Sequence, residues 1–125
     1  MIVGIGVDIV EIEKLRLAMV RRGERLRNRA FTSAEIRYCE ERANQYQHYA
    51  ARFAAKEAAF KAIGTGWRDG IGWHDAEVKN ELSGKPNLIL TGRASELARR
   101  MGTQHIWLSL SHTDRYAVAQ VVLEG

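Results

Sequence analysis

Cysteine and proline are almost absent from this sequence, and each shortage restricts what the chain can be. The single cysteine, Cys39, cannot form a disulfide within the chain, which indicates a reducing compartment. The chain contains one proline and no compositionally biased tract, so no linker, repeat or disordered tail is predicted. We therefore expect residues 1–125 to fold as one domain, which at this length buries roughly two-thirds of the surface of the unfolded chain.

Long apolar runs are also missing, although 46% of the residues are hydrophobic. No segment has the pattern of a signal peptide or a membrane span, so we expect a cytoplasmic protein without a membrane partner. The sequence has fewer acidic than basic residues: 15 Asp and Glu against 19 Lys and Arg, which gives a formal net charge of +4. This balance favours an anionic partner such as nucleic acid, a phosphate ester or an acidic protein.

The N-terminal stretch from Ile2 to Val10 predicts a strand whose two faces differ in kind. One face carries the β-branched residues Val3, Ile5, Val7 and Ile9, and the other carries Gly4, Gly6 and Asp8. Because glycines weaken a strand, their presence suggests that another backbone or a ligand comes close to Asp8. The alternative is a solvated aspartate at the end of a strand.

Arginine dominates the helix that is predicted next, from Glu11 to about Asn28. Apolar residues recur at helical spacing, while the remaining surface is crowded with basic side chains, among them Lys14, Arg21, Arg22 and Arg25. Such a surface is either simply solvated or a docking site for an acidic helix. The segment Thr32-Ser33-Ala34-Glu35 then fits a capping box, which predicts a further helix to about Arg42.

An alanine-rich helix is the most distinctive element of the chain. After a polar and aromatic loop at residues 44–49, it is predicted to begin near His48 or Tyr49 and to end near Ile63, because Gly64 can adopt the left-handed conformation. Glu57 and Lys61 lie one turn apart on it, and a solvated ion pair between them would contribute roughly 0.3–0.5 kcal/mol. The glycines that follow, in residues 64–72, expose amide donors as phosphate-binding loops do, although the Walker order is missing.

The last fifty residues predict four short strands and one helix. The strands are Ala76–Lys79, Asn87–Leu90, Ile106–Leu110 and Tyr116–Leu123, and the helix runs from Thr91 to Met101 with Gly102 beyond it. Lys85 and Pro86 lie in the turn between the first two strands, and Ser111–Arg115 joins the last two. His112 shares parity with Leu108 and Leu110, so a hydrogen-bonded histidine at the core edge is an alternative to a functional one. The other histidines lack ligand spacing, and a zinc site is unsupported.

Four separated segments carry a family resemblance. They are Gly6-Val7-Asp8-Ile9-Val10, the run Phe53-x-x-Lys56-Glu57-Ala58-x-x-Lys61-Ala62 followed by Gly64-Thr65-Gly66, the turn Gly84-Lys85-Pro86, and Ser109-Leu110-Ser111-His112-Thr113. Together they resemble the 4′-phosphopantetheinyl transferases of the short holo-acyl-carrier-protein synthase type. The resemblance implies an α+β fold in which a mostly antiparallel sheet packs against a long central helix. It also implies a homotrimer with active sites between neighbouring subunits.

The activity that this resemblance implies is the Mg²⁺-dependent transfer of 4′-phosphopantetheine from coenzyme A to a serine of an apo acyl carrier protein. Adenosine 3′,5′-bisphosphate is released, and the reaction supports fatty acid biosynthesis. The implied metal ligands are Asp8 and Glu57, and Glu57 would accept the serine proton directly or through a metal-bound water. Lys61 would contact the pyrophosphate, and the further coenzyme A contacts would be Arg52, Gly64, Thr65, Gly66, Lys85, Pro86, His112 and Thr113. The carrier protein would contact Lys14, Arg21, Arg22 and Arg25.

Two details depart from the family pattern, and two other functions remain open at this stage. Lys14 stands where an arginine is frequent, and Trp67 and Trp73 flank the glycine-rich segment. A small basic module that binds nucleic acid would explain the charge, but it leaves Asp8 and Glu57 without a role, and no nucleic-acid-binding signature is present. An adaptor that only binds acyl carrier protein would consume no coenzyme A.

Overall fold

The protein is an α+β structure in which one long helix lies against antiparallel strands. The computed structural model describes residues 1–64 and 70–125. Its elements are β1 (Ile2–Glu11), α1 (Ile12–Arg22), α2 (Glu24–Ala30), α3 (Ser33–Glu40), α4 (Gln45–Ile63), a 3₁₀ turn (Trp73–Asp75), β2 (Ala76–Asn80), β3 (Pro86–Leu90), α5 (Gly92–Arg100), β4 (His105–His112) and β5 (Tyr116–Glu124). One sheet has the order β1-β5-β4 and the other pairs β2 with β3, all antiparallel. The predicted fold class is confirmed.

Helix α4 is mostly buried, and alanines, which let neighbouring elements approach closely, make up seven of its nineteen residues. The buried alanines are Ala50, Ala51, Ala54, Ala55, Ala58, Ala59 and Ala62. In the C-terminal half of the helix, Phe60 packs in one core with Val121 of β5, and in the N-terminal half Tyr49 packs in a second core with Phe31. A buried aromatic side chain of this kind contributes about 1.5–3 kcal/mol by leaving water. Both cores therefore depend on α4.

The glycines of β1 allow this strand to lie directly on α4. A Cβ atom on Gly6 would overlap the carbonyl oxygen of Ala58, and one on Gly4 would overlap that of Ala62. Only glycine leaves enough room for such an approach between two backbones. The expectation of a close backbone beside Asp8 is therefore correct, and the backbone is that of α4.

The opposite face of β1 is apolar and exposed. Ile5, Val7 and Ile9 remain 57%, 55% and 61% exposed, and Trp107 of β4 remains 49% exposed on the same face. The predicted alternation is found from Gly4 to Val10, with the glycine face packed against the helix. A register shift between Ile2 and Gly4 interrupts it, so Val3 packs against the core instead of sharing the exposed face of Ile5. We call the patch formed by Ile5, Val7, Ile9 and Trp107 the outer sheet face. Its apolar area is larger than that of the single, scattered apolar residues on an ordinary protein surface.

Two predicted helix boundaries are wrong, whereas two capping signals are confirmed. The helix predicted over residues 11–28 is broken at Gly23, whose φ of 64° and ψ of −144° lie outside the helical region, and it forms α1 and α2. Helix α4 begins at Gln45 rather than near His48, since packing of Tyr49 in the core outweighs the polar sequence before it. Thr32 and Glu35 form the expected capping box. Gly64 ends α4 with a φ of 90°.

Among the described residues, none of the helices combines the length and the apolar character that crossing a membrane requires.

Candidate active site

Asp8 of β1 and two residues of α4, Glu57 and Lys61, come together where the strand lies on the helix. Asp8 has the same parity as Gly4 and Gly6, so its side chain points to α4. The Nζ atom of Lys61 donates to Asp8 Oδ1 at 3.0 Å and to the Val7 carbonyl oxygen at 3.0 Å. Residues about fifty positions apart in sequence thus form one polar group beside the close backbone contact.

The alternative interpretation of Glu57 and Lys61, a solvated ion pair between them, is not found. Lys61 pairs with Asp8 instead, whose side chain is 18% exposed. Partial burial raises the pKa of Glu57, the negative charge of Asp8 raises it further, and Lys61 opposes the effect. The charge of Asp8 thus disfavours ionisation of Glu57, and a cation bound between the two side chains would relieve this repulsion.

The donor atoms of this site suit a hard divalent cation. Asp8 and Glu57 offer carboxylate oxygens, and Mg²⁺ usually takes one or two carboxylates together with waters and phosphate oxygens. Within residues 1–64 and 70–125, no group of three or more His, Cys, Asp or Glu side chains could hold a metal ion. A metal at Asp8 and Glu57 would therefore keep coordination positions for water and a phosphorylated ligand.

A second group of predicted residues, Arg52 and His112, lies toward the N-terminal part of α4. Arg52 is 3% exposed and donates to Asn80 Oδ1 at 2.6 Å. Its guanidinium carbon lies 3.9 Å from the ring centroid of Tyr38. His112 is exposed at the end of β4, where its Nε2 lies 2.9 Å from Gln47 Nε2. His112 is therefore a surface histidine with a polar partner, not one buried at the core edge.

Sequence reasoning missed two members of this group, Arg42 and His48. The guanidinium carbon of Arg42 lies 3.3 Å from the centroid of the Tyr38 ring that Arg52 also contacts. Burial, together with the charges of Arg52, Arg42 and His112, lowers the pKa of His48. In the described part of the chain, neither arginine forms a salt bridge with a carboxylate. The spacing of Tyr38 and Arg42, one turn apart, was the available signal for this anion-attracting cluster.

Other predicted ligand contacts lie elsewhere or outside the described residues. Lys85 precedes Pro86 at the start of β3, and its Nζ is 5.9 Å from the ring centroid of Trp107 on β4. Since β5 separates β4 from β1, Lys85 lies across the sheet from Asp8. Thr113 caps the last hairpin by accepting from the amides of residues 115 and 116. Gly64 is described, whereas Thr65 and Gly66 are not.

Only one of the two tryptophans that flank the glycine-rich segment lies in the described part of the chain. Trp73 packs against Phe53 and Phe60, with ring centroids 4.8 and 5.7 Å apart, so it belongs to the core side of α4. Trp67 lies outside the described residues. Trp73, which departs from the family pattern, therefore has a packing role against α4.

The basic residues predicted on the first helix are exposed on α1 and α2. Lys14, Arg21, Arg22 and Arg25 all face solvent. Arg22 and Arg25 line a cleft of about 390 Å³ with Leu26 and with Arg29, which sequence reasoning left without a role. A cleft with an apolar floor and cationic walls suits an acidic amphipathic surface.

Comparisons with known proteins agree on one family. The family model of the 4′-phosphopantetheinyl transferase superfamily matches residues 4–121. A holo-[acyl-carrier-protein] synthase of Koribacter versatilis is 51% identical over 124 residues, which cover 99% of each chain. The crystal structure of the holo-[acyl-carrier-protein] synthase of Neisseria meningitidis has a TM-score of 0.89 at 32% identity and covers 100% of both chains.

A solved structure of this kind also contains a bound ligand. The holo-(acyl-carrier-protein) synthase of Bacillus anthracis, in complex with coenzyme A (3′,5′-ADP), has a TM-score of 0.79 at 37% identity. The match covers 98% of this chain and 96% of that one. Sequence identity over the full length and the shared fold lead to the same result. The chain belongs to the 4′-phosphopantetheinyl transferase superfamily, among its holo-[acyl-carrier-protein] synthases.

Proposed function

We propose that this protein transfers 4′-phosphopantetheine from coenzyme A to a serine hydroxyl of an apo acyl carrier protein, in the cytoplasm and in support of fatty acid biosynthesis. The observation that carries the proposal is the meeting of Asp8, Glu57 and Lys61 at the contact of β1 with α4. Two carboxylates and one lysine are the groups that a metal-assisted reaction at a pyrophosphate needs.

The reaction forms one phosphorus–oxygen bond and breaks another. The serine oxygen attacks the β-phosphorus of coenzyme A, and the bond from that phosphorus to the bridging oxygen breaks. Adenosine 3′,5′-bisphosphate leaves with the bridging oxygen and its electron pair. Glu57 accepts the serine proton, directly or through a water, because its carboxylate is the negatively charged oxygen group beside the reacting atoms.

Each residue of the site has a separate task in this reaction. Asp8 and Glu57 would hold Mg²⁺, which would supply positive charge to neutralise the pyrophosphate oxygens. Lys61, whose side chain is 54% exposed, turns from Asp8 to a phosphate oxygen when coenzyme A binds. Arg52 and His112, with the backbone of Gly64 to Gly66 and with Lys85, Pro86 and Thr113, bind the remaining part of coenzyme A. For Arg52, the assignment is supported by its hydrogen bond to Asn80 and by the absence of a carboxylate partner among the described residues.

The direct test is an intact-mass measurement on apo acyl carrier protein after incubation with this protein, coenzyme A and Mg²⁺. A mass gain of one phosphopantetheine group, lost when EDTA is added, is the expected result. An unchanged carrier mass would contradict the proposal. A carrier that binds without gaining mass would favour an adaptor.

The basic cleft on α1 and α2 is proposed to dock the acidic carrier protein, so replacing Arg21, Arg22 and Arg25 together by Gln should raise the carrier KM. We expect a change of about tenfold or more, with a weaker dependence on salt, because such charges act on encounter and orientation. The affinity for coenzyme A should not change. Steady-state kinetics across salt concentrations would measure the effect.

A matched triple variant separates docking from overall charge. Lys79, Arg99 and Arg100 are also exposed, and replacing them by Gln removes the same charge from other elements. This control should keep the wild-type carrier KM. Equal effects of the two triple variants would contradict a docking site at the cleft, and tight, salt-sensitive binding of duplex DNA without carrier binding would favour a nucleic-acid module.

The homotrimer is proposed from the outer sheet face. Three exposed β-branched side chains beside a half-exposed tryptophan are costly in water, and a second copy of the chain would cover them. We expect Val7→Lys to convert the trimer into monomers, as measured by light scattering after size-exclusion chromatography. The control Leu82→Lys changes a fully exposed leucine in the β2–β3 turn and should leave the mass unchanged. A monomeric wild type, or a trimeric Val7→Lys variant, would exclude this interface.

A further inference from the structure

Lys56 and Glu35 form an ion pair that is fully buried and has no role in the site described above. Lys56 Nζ lies 2.7 Å from Glu35 Oε1, and both side chains are 0% exposed. Burial lowers the pKa of Lys56, and the charge of Glu35 opposes this effect. Since apolar residues of similar volume often replace buried ion pairs without loss of stability, a stabilising role alone explains this pair poorly.

Lys56 also donates to two backbone carbonyl oxygens, which an apolar side chain could not bond. Its Nζ lies 2.6 Å from the carbonyl oxygen of Ala76 and 3.1 Å from that of Trp73. With Glu35, each of the three ammonium protons has an acceptor. The two carbonyls bracket the 3₁₀ turn, so Lys56 holds both of its ends on α4.

Glu35 extends the same network to the start of α3 and further along β2. One carboxylate oxygen accepts from the Thr32 amide at 3.0 Å, at the start of α3. The other accepts from the Val78 amide at 2.9 Å, in β2. Lys56 and Glu35 together therefore join α3, α4, the 3₁₀ turn and β2 through one buried group.

The turn that Lys56 holds follows the glycine-rich segment. The segment begins at Gly64, whose amide donates to the carbonyl of Phe60 on α4 at 3.0 Å. It leads to residues 71–75, which with Arg29 line a cleft of about 570 Å³. Both the start of the segment and the turn after it are thus tied to the helix that carries Glu57 and Lys61.

We propose that Lys56 is a positioning residue for coenzyme A binding, which rests on the function proposed above. It contacts neither substrate nor metal. Its role is to hold residues 71–76 in a fixed place on α4, so that the wall of the cleft keeps one geometry relative to Glu57 and Lys61, the proposed metal ligand and phosphate contact. The ammonium group of Lys56 suits this task because its charge-assisted hydrogen bonds are directional.

The test compares Lys56→Met with Tyr49→Phe, a matched control. Tyr49 is also buried on α4, and its hydroxyl donates to Glu40 of α3 at 3.0 Å without contact to the 3₁₀ turn. Calorimetric titration with coenzyme A, at a temperature at which each variant is folded, should show about tenfold weaker binding for Lys56→Met alone. Amide hydrogen exchange should rise in residues 72–78 of that variant and not in α4.

A double variant keeps the proposal testable if Lys56→Met does not fold. Glu35→Gln with Lys56→Met removes both charges and leaves no unpaired buried carboxylate, so it should recover stability while coenzyme A binding stays weak. Wild-type coenzyme A affinity in the folded single or double variant would overturn the positioning role. The binding and exchange results do not require turnover, so a wild type that binds coenzyme A but transfers nothing would refute the proposed function separately.

Discussion

Asp8→Asn and Glu57→Gln should each lower the transfer rate by about 100- to 1,000-fold, which is the usual cost of removing one charge-stabilising group from a reaction centre. Both changes conserve size and remove a carboxylate oxygen that the proposed Mg²⁺ site requires. Folding should be almost unaffected, because each change removes one of two neighbouring negative charges, of which that of Asp8 already raises the pKa of Glu57. The rate of phosphopantetheine incorporation into carrier protein, measured across Mg²⁺ concentrations, checks this result.

Two further variants test whether the loss of turnover comes from the loss of metal binding. Glu11→Gln removes an exposed carboxylate from the end of the same strand and should keep wild-type turnover. Lys61→Met should also lose turnover, but it removes the cation that now pairs with Asp8. Titration with Mn²⁺, followed by electron paramagnetic resonance, should therefore show weaker binding to the two carboxylate variants and undiminished binding to Lys61→Met. Unchanged Mn²⁺ binding in Asp8→Asn would contradict the two-carboxylate site.

Gly6→Ala should destabilise the fold by about 3 kcal/mol, at the upper end of what overpacking usually costs. The added Cβ overlaps the Ala58 carbonyl oxygen, which is backbone and cannot rotate away, so β1 must move from α4. Because Asp8 lies two residues further along, the movement also separates Asp8 from Glu57. Turnover should therefore fall even at temperatures at which the variant is folded.

Urea unfolding at one fixed protein concentration measures the stability change, since oligomers unfold in a concentration-dependent way. Gly72→Ala is the matched control, because a Cβ at Gly72 meets no atom within 4 Å and its φ of −110° suits any residue. That variant should stay within about 0.5 kcal/mol of the wild type. Equal stability of Gly6→Ala and Gly72→Ala would mean that β1 does not need its close approach to α4.

Local signals predicted the parts of the fold whose causes are local. The alternation along β1 from Gly4 onward, the capping box at Thr32 and the end of α4 at Gly64 each depend on a few neighbouring residues, and all three are found. The break at Gly23 was missed because a glycine inside a helical pattern is often tolerated. The early start of α4 depends on the burial of Tyr49, which arises only from tertiary packing.

The sequence predicted which residues come together at this site better than it predicted how they pair. Motif resemblance identified Asp8, Glu57 and Lys61, but helical spacing paired Lys61 with Glu57, whereas the fold pairs it with Asp8. Spacing along one helix cannot report a partner that a distant strand supplies. Lys56 shows the same limit, since its partner Glu35 lies in another helix.

The order of strands has a consequence for how the chain is made. β5 is the last strand in sequence, yet it lies between β1 and β4 and pairs with Ile2–Glu11 over more than a hundred intervening residues. During synthesis, β1 therefore remains without its partner until residues 116–124 leave the ribosome, with its apolar face and its backbone donors open to other chains. A nascent chain of this protein therefore carries an unpaired strand through almost all of its synthesis, and only the emergence of β5 closes that edge.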